Sequence, residues 1–196
     1  MGERVPTADQ RVVMYNAPWS RYEAELALRG EAPVPRLAYL EATPKLMRPS
    51  KDHERIKSCV GWLVEAYAVD RGIDLTPYGS WTLKSAPRTS GAEPDECYLL
   101  GADQTREVPD LVIEVIWTSG GIEKLEIYRR LGVREVWFWR DGKIEAHVLG
   151  HDSYQRVSDS AVLPGLDLNL MVSFLDQPTA TQAVRVFQSA IRPSGS

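Results

Sequence analysis

The chain has 196 residues, 43% of them apolar and 26% charged, with a formal net charge of −4 and a pI near 5.5. These values describe one soluble globular domain with a sizeable core, and the acidic balance speaks against a nonspecific duplex binder, which carries a broad basic footprint. No run of about 18 apolar residues predicts a membrane span, and no charged-then-apolar leader opens the chain, so the expected compartment is the cytoplasm. Two cysteines, Cys59 and Cys97, make no disulfide framework, and three histidines without a CxxC pair make a zinc site unexpected.

In chain order, residues 1–10 are polar and aperiodic and are expected to be mobile, and Arg11 to Tyr15 reads as a short extended segment. Ser20 to Arg29 reads as a helix, with Ser20 and Glu23 as a capping box and Gly30 as its stop. Leu37–Leu40 and Leu46–Met47 predict a hairpin with Pro44 at or near the turn. Ser50 or Asp52 caps a long helix to about Val69, with Ile56, Cys59, Val60, Leu63, Val64 and Tyr67 as its apolar stripe. Tyr78 to Leu83 reads as a strand and Lys84 to Gly91 as a flexible loop. Glu135–Arg140 and Lys143–Leu149 alternate and are joined by Asp141-Gly142, a strong hairpin signal. Trp137 and Trp139 share one face, Val136 and Phe138 the other. Tyr154 to Val157 extends the sheet, Thr179 to Ile191 reads as a helix, and the last four residues as a disordered tail.

Between these elements lies the stretch that carries chemistry, Ala92 to Leu131. It reads as strand, loop, strand, tight turn, helix. The Thr118-Ser119-Gly120-Gly121 turn fits no nucleotide-binding motif and serves to aim the helix. If residues 101–108 close a hairpin, Leu100 faces Pro109 and Asp95 falls opposite Glu114, about 5 Å away across an antiparallel pair. Two carboxylates so placed repel, and a hard divalent cation such as Mg²⁺ removes the repulsion. Asp110 shares a face with Glu114 but lies roughly 13 Å along the strand, too far to share one ion. On the following helix, Lys124 sits in the middle of the apolar arc, between Leu131 and Tyr128. There it needs water or a negative partner, and the carboxylate pair supplies one. Asp95, Glu114 and Lys124 together form a candidate metal-dependent phosphodiesterase site.

The segments Glu93-Pro94-Asp95-Glu96-Cys97, Pro109 to Val115, Glu123 to Tyr128, Leu131 to Trp137 and Leu163-Pro164-Gly165-Leu166 resemble the Uma2 family of restriction-endonuclease-like proteins. The resemblance covers roughly Leu37 to Leu175. It implies an α/β (α+β) chain with the PD-(D/E)XK core, a mixed central β-sheet flanked by helices. It also implies Asp95 and Glu114 as metal ligands for Mg²⁺ or Mn²⁺ and Lys124 as the catalytic lysine. The fold's name places a lysine two residues after the second acid. That position is Ile116 here, and Lys124 on the next helix is the substitute. In the wider fold a helix before the first site strand often adds a glutamate. Glu54 is the candidate by type, but the helical wheel turns it away from the apolar stripe, whereas His53 lies beside Val60 and Val64. Asp110 would be structural or in outer contact with the site.

The expected organisation is an N-terminal extension over 1–15, a single nuclease-like domain over 16–191, and a tail over 192–196. The leading functional expectation is a metal-dependent endonuclease acting on DNA. Its rival is a catalytically inactive nuclease-fold binding or regulatory module, and a homodimer is expected in either case. A local basic rim is expected around Arg129, Arg130, Arg134 and Arg140, and exposure of Trp62 and Trp139 would point to self-association.

Overall fold

A computed structural model describes residues 7–117 and 121–192 of the chain. The Thr118–Gly120 part of the expected turn and the tail from Pro193 lie outside the described residues, as does the start of the N-terminal segment. What is described is α/β, with two sheets and five helices.

The strands and helices follow in the order β1 (Gln10–Val13), α1 (Trp19–Arg29), β2 (Arg36–Leu40), β3 (Thr43–Arg48), α2 (Lys51–Arg71), β4 (Leu75–Pro77), β5 (Leu83–Ser85), β6 (Ser90–Ala92), β7 (Glu96–Leu100), β8 (Leu111–Val115), α3 (Gly121–Leu131), β9 (Glu135–Arg140), β10 (Lys143–Leu149), β11 (Tyr154–Val157), α4 (Leu168–Ser173) and α5 (Ala180–Ile191). The larger sheet has the order β11-β10-β9-β8-β7-β4, the smaller β1-β3-β2-β6-β5. Neighbours are antiparallel except β8 and β9, which are parallel and joined by α3. A parallel pair needs such a crossover.

The larger sheet separates two cores. On one face, the stripe of α2 packs with Tyr98, Leu111, Ile113, Val115, Trp137 and Trp139, and α4 and α5 close the layer with Met171 and Phe187. On the other face, Val112, Val136 and Phe138 meet Ile127, Tyr128 and Leu131 of α3, together with Leu83 and Ala92 of the smaller sheet. β8 is therefore covered on both sides, and all five of its residues are buried. That explains its almost continuous apolar run and makes Glu114 conspicuous within it.

Local signals account for most of the boundaries. Ser50 caps α2, its side chain accepting the His53 N–H at 3.2 Å, and Gly72 ends the helix at φ 64°, a left-handed position that suits glycine. Asp141 and Gly142 turn β9 into β10 with φ of 47° and 74°, the geometry of a two-residue hairpin turn.

Several expectations are corrected. Helix α1 has Pro18 at its N-cap with no side-chain cap bond, so Ser20 and Glu23 form no capping box. The β2–β3 turn is made by Glu41 and Ala42, both at positive φ, and Pro44 lies inside β3 opposite Tyr39. Tyr78 to Leu83 is not a strand. β4 ends at Pro77, and a bend around Gly79 intervenes before β5. The aromatic and β-branched character of that run favours a strand, but Gly79-Ser80 breaks it. Lys84 to Gly91 is no flexible loop but most of the β5–β6 hairpin, paired from Leu83–Ala92 to Ser85–Ser90. Gly91, which suggested a loop, sits under the Tyr22 ring. A Cβ there would come within 2.5 Å of Tyr22 Oη, so glycine is required by close approach. The N-terminal segment is held from Thr7 onward: Thr7 bonds Asp52 and β1 pairs with β3. Of the two tryptophans, Trp62 is half exposed and Trp139 is buried, so they form no shared apolar patch.

Candidate active site

Strands β7 and β8 place Glu96 opposite Ile113, Cys97 opposite Val112 and Tyr98 opposite Leu111. Continued by one residue, that register sets Asp95 against Glu114. Both are buried, at 1% and 0% exposure. Buried carboxylates need partners, and each of these has its own.

Glu114 is held by α3. Lys124 Nζ donates to its Oε2, and Tyr128 Oη donates to its Oε1. The two donors are one helical turn apart, at i and i+4, so they project from the same face. Burial, and then the charge of Glu114, push the Tyr128 hydroxyl well above its ordinary pKa, so it remains a donor. Lys124 is the less buried of the two, its side chain 23% exposed.

Asp95 is held by three other elements. The backbone N–H of Val115 donates to Oδ2 at 2.6 Å, tying the first acid to the strand of the second. Arg36, at the start of β2, donates Nη1 to Oδ1. His53 Nε2 lies 3.0 Å from the same oxygen but makes no hydrogen bond, so the ring packs against the carboxylate. His53 Nδ1 is bonded to Asp9 Oδ2 at 3.0 Å, and Asp9 Oδ1 accepts the Ser50 N–H at 2.8 Å. Burial acts to raise the Asp9 pKa, but the bonds from His53 and Ser50 outweigh it and bring it down to about 2.

The expected residues divide accordingly. Asp95, Glu114, Lys124 and His53 converge. Glu54 is half exposed, as its position on the wheel implies, yet Arg36 Nη2 reaches its Oε1 at 2.6 Å. It joins the site through the arginine rather than directly. Asp110 is elsewhere: it accepts the Leu100 N–H at 2.7 Å and pairs with Arg106 at 2.9 Å, closing the β7–β8 connection. Three participants had not been singled out. Arg36 opens an apolar strand, so a charge preceding a buried run was its only signal. Tyr128 looked like one more apolar-arc residue. Asp9 lies in a polar stretch with no signal at all.

Next to the acids lies a cleft of about 840 Å³, bounded by β1, β3 and β2 on one side and by the end of β8 and α3 on the other. Arg11, Arg36, Lys45, Lys124 and Arg140 line it. Burial, and then the neighbouring charges of Arg11 and Lys124, lower the Lys45 pKa, which marks a crowd of positive charge. This corrects the expected basic rim. Arg129 and Arg130 pair with Glu126, Arg130 also with Glu41, and Arg134 donates to the Ala161 carbonyl. Of that group only Arg140 faces the cleft.

Two carboxylates on adjacent strands suit a hard cation chemically, and each oxygen retains acceptor capacity beyond its present partner. Among the described residues no cluster of three or more His, Cys, Asp or Glu forms a closed metal cage. Mg²⁺ commonly binds through one or two carboxylates and completes its shell with water and substrate phosphate, so Asp95 and Glu114 fit that mode and not a dedicated all-protein cage.

Comparison with curated proteins found no match. Among solved structures, the chain is similar to a crystal structure from Anabaena variabilis ATCC 29413 described as "a putative nuclease belonging to DUF820". The two are 14% identical with a TM-score of 0.47, and the similarity covers 79% of this chain and 92% of that one. The family model described as "Uma2: Putative restriction endonuclease" matches residues 19–175, a span that includes Asp95, Glu114, Lys124, Arg36 and His53. The chain belongs to the Uma2 family.

Proposed function

We propose that this chain is a divalent-metal-dependent DNA endonuclease whose working groups are Asp95, Glu114 and Lys124. One observation carries the reading: two buried acids face each other across β7 and β8, with Lys124 on one, Arg36 on the other, and both cations also lining the cleft. Asp95 and Glu114 would hold Mg²⁺ or Mn²⁺, which when bound supplies an activated water and offsets phosphate charge.

The chain's own residues do the rest. Lys124 faces both Glu114 and the cleft, so its ammonium is placed to offset charge developing on a phosphate. Arg36 offers a second cation beside Asp95. Tyr128 and the Val115 N–H fix the two carboxylates, and fixed acceptors lose little freedom when the reaction begins. Ile116 lines the cleft where the fold's usual lysine would stand and contributes only apolar surface.

The rival reading is a nuclease fold without catalysis. It is favoured by the ion pairs that already satisfy both acids. Incubation of plasmid and linear DNA with Mg²⁺ or Mn²⁺ separates the two. Cleavage is expected from the wild type and not from Glu114→Ala or Lys124→Ala, with folding checked by circular dichroism. A Glu114→Ala protein that cleaves at the wild-type rate overturns the assignment.

A further inference from the structure

The cleft's lining bears on the form of the substrate, an inference that rests on the endonuclease reading for the identity of the nucleic acid. At about 840 Å³ the space belongs to the class that encloses small molecules, about 300–1,000 Å³. A few nucleotides enter such a space; a double helix does not. Its surface is also wrong for duplex phosphates alone. Leu40, Met47 and Ile127 line the cleft beside the cations, apolar surface that would meet only sugar-phosphate if base pairs were intact.

Trp117 adds a stacking platform. Trp117 is among the residues lining the cleft, at the end of β8, and its ring stacks on Trp139 at 5.7 Å between centroids and 14° between planes. Trp139 is buried, so it fixes the plane of the more exposed ring. A cationic groove combined with aromatic and apolar surface is the pattern that binds unpaired strands. Duplex binding draws instead on a wide array of cations. Here Arg129 and Arg130 are committed to Glu126 and Glu41, and the chain carries a net −4.

We propose that the cleft between the β1–β3–β2 face and α3 takes single-stranded DNA, with phosphates on Arg11, Lys45 and Arg140 and a base stacked on Trp117. Lys45 donates to Glu123 and Arg11 pairs with Asp9 at 3.6 Å, so a phosphate entering here would take the place of a carboxylate beside each. β1 supplies Arg11 and Val13 to one wall and lies before the residues matched by the family model, so this part of the cleft is built by this chain's N-terminal segment.

The test uses fluorescence anisotropy in EDTA, with a fluorescein-labelled 12-nucleotide single strand and a blunt duplex of the same length. The single strand is expected to bind at least about tenfold more tightly. Trp117→Ala should weaken it at least about fivefold, with Trp117→Phe restoring most of the loss. Val13→Glu, at a position 39% exposed that pairs with Lys45 across β1 and β3, should weaken it by adding a negative charge to the wall. Equal or tighter duplex binding, binding of neither form, or single-strand binding indifferent to both variants overturns the proposal. The outcomes remain distinct from those of the cleavage assay. A protein that binds single strands this way and cuts nothing retains the cleft assignment and loses the endonuclease reading. One that cuts blunt duplex and binds it as tightly as single strands does the reverse.

Discussion

Glu114 and Glu135 are both fully buried, on the paired strands β8 and β9, and they are held in different ways. Glu135 accepts from Trp137 Nε1 at 2.5 Å and from the backbone N–H groups of Ala161 and Val162 at 2.8 and 3.0 Å. Every donor is neutral, and two of the three are backbone N–H groups. It staples the segment after β11 to the sheet and faces no cleft. Glu114 accepts instead from two α3 side chains, one of them a partly exposed lysine. A carboxylate that accepts only from neutral donors, with no cation beside it, is committed to structure. One balanced by a lysine that also lines a cationic cleft would, on the proposed function, exchange that partner for a metal. Burial and residue type are the same; the donors distinguish the roles.

Substitutions by the isosteric amide put this contrast under the greatest strain. Glu114→Gln keeps the shape and an acceptor for Tyr128, and although its NH₂ then faces Lys124, that partly exposed ammonium can turn to water, so the fold should persist while DNA cleavage falls at least about a hundredfold. Glu135→Gln turns an NH₂ toward donors and should cost about 1–3 kcal/mol in urea unfolding, with cleavage per folded molecule close to wild type. Reversed phenotypes would exchange the roles given to the two glutamates.

Lys124→Met is expected to abolish cleavage and also to lower stability, because Glu114 then remains buried with Tyr128 alone. The partial exposure of the lysine holds that loss to about 1–3 kcal/mol, below the value for a fully buried pair. Tyr128→Phe removes the other donor and should cost about 1–2 kcal/mol, with a smaller effect on cleavage than Lys124→Met.

The smallest effect concerns pH and the Asp9 anchor. Its carboxyl is depressed from 3.8 to about 2 in the folded chain. The stability it contributes is therefore fully present above pH 3.8 and lost as pH falls toward about 2. Asp9→Asn should be less stable than wild type at pH 6, with the gap narrowing below pH 3 in denaturant titrations. A gap that stays constant with pH would mean that Asp9 contributes through shape alone.

Much of this arrangement is legible in the sequence where it depends on local counting. The loop length from Leu100 to Pro109 fixes the β7–β8 register, and Glu114 is conspicuous because it interrupts a strand buried on both faces. Lys124 is conspicuous in the same way on a helical wheel. The stripe from Ile56 to Tyr67 and the Asp141-Gly142 turn are equally local. What stays hidden depends on contacts distant in sequence. Arg36 lies 59 positions from Asp95 and Asp9 lies 44 from His53, and no period links them. Gly91 resembles a loop residue until Tyr22 is seen against it. Helix α4 has six residues, too few for an apolar period to emerge.

The central claim is that Asp95 and Glu114 form one divalent-cation site. Calorimetric titration of Mn²⁺ into wild type and into an Asp95→Ala/Glu114→Ala variant, each with an uncleavable phosphorothioate oligonucleotide to supply phosphate oxygens, tests it directly. Binding heat in the wild type that disappears in the double variant is the predicted result. No heat in the wild type, or the same heat in both proteins, would contradict it and leave the two carboxylates as partners of Arg36 and Lys124 alone.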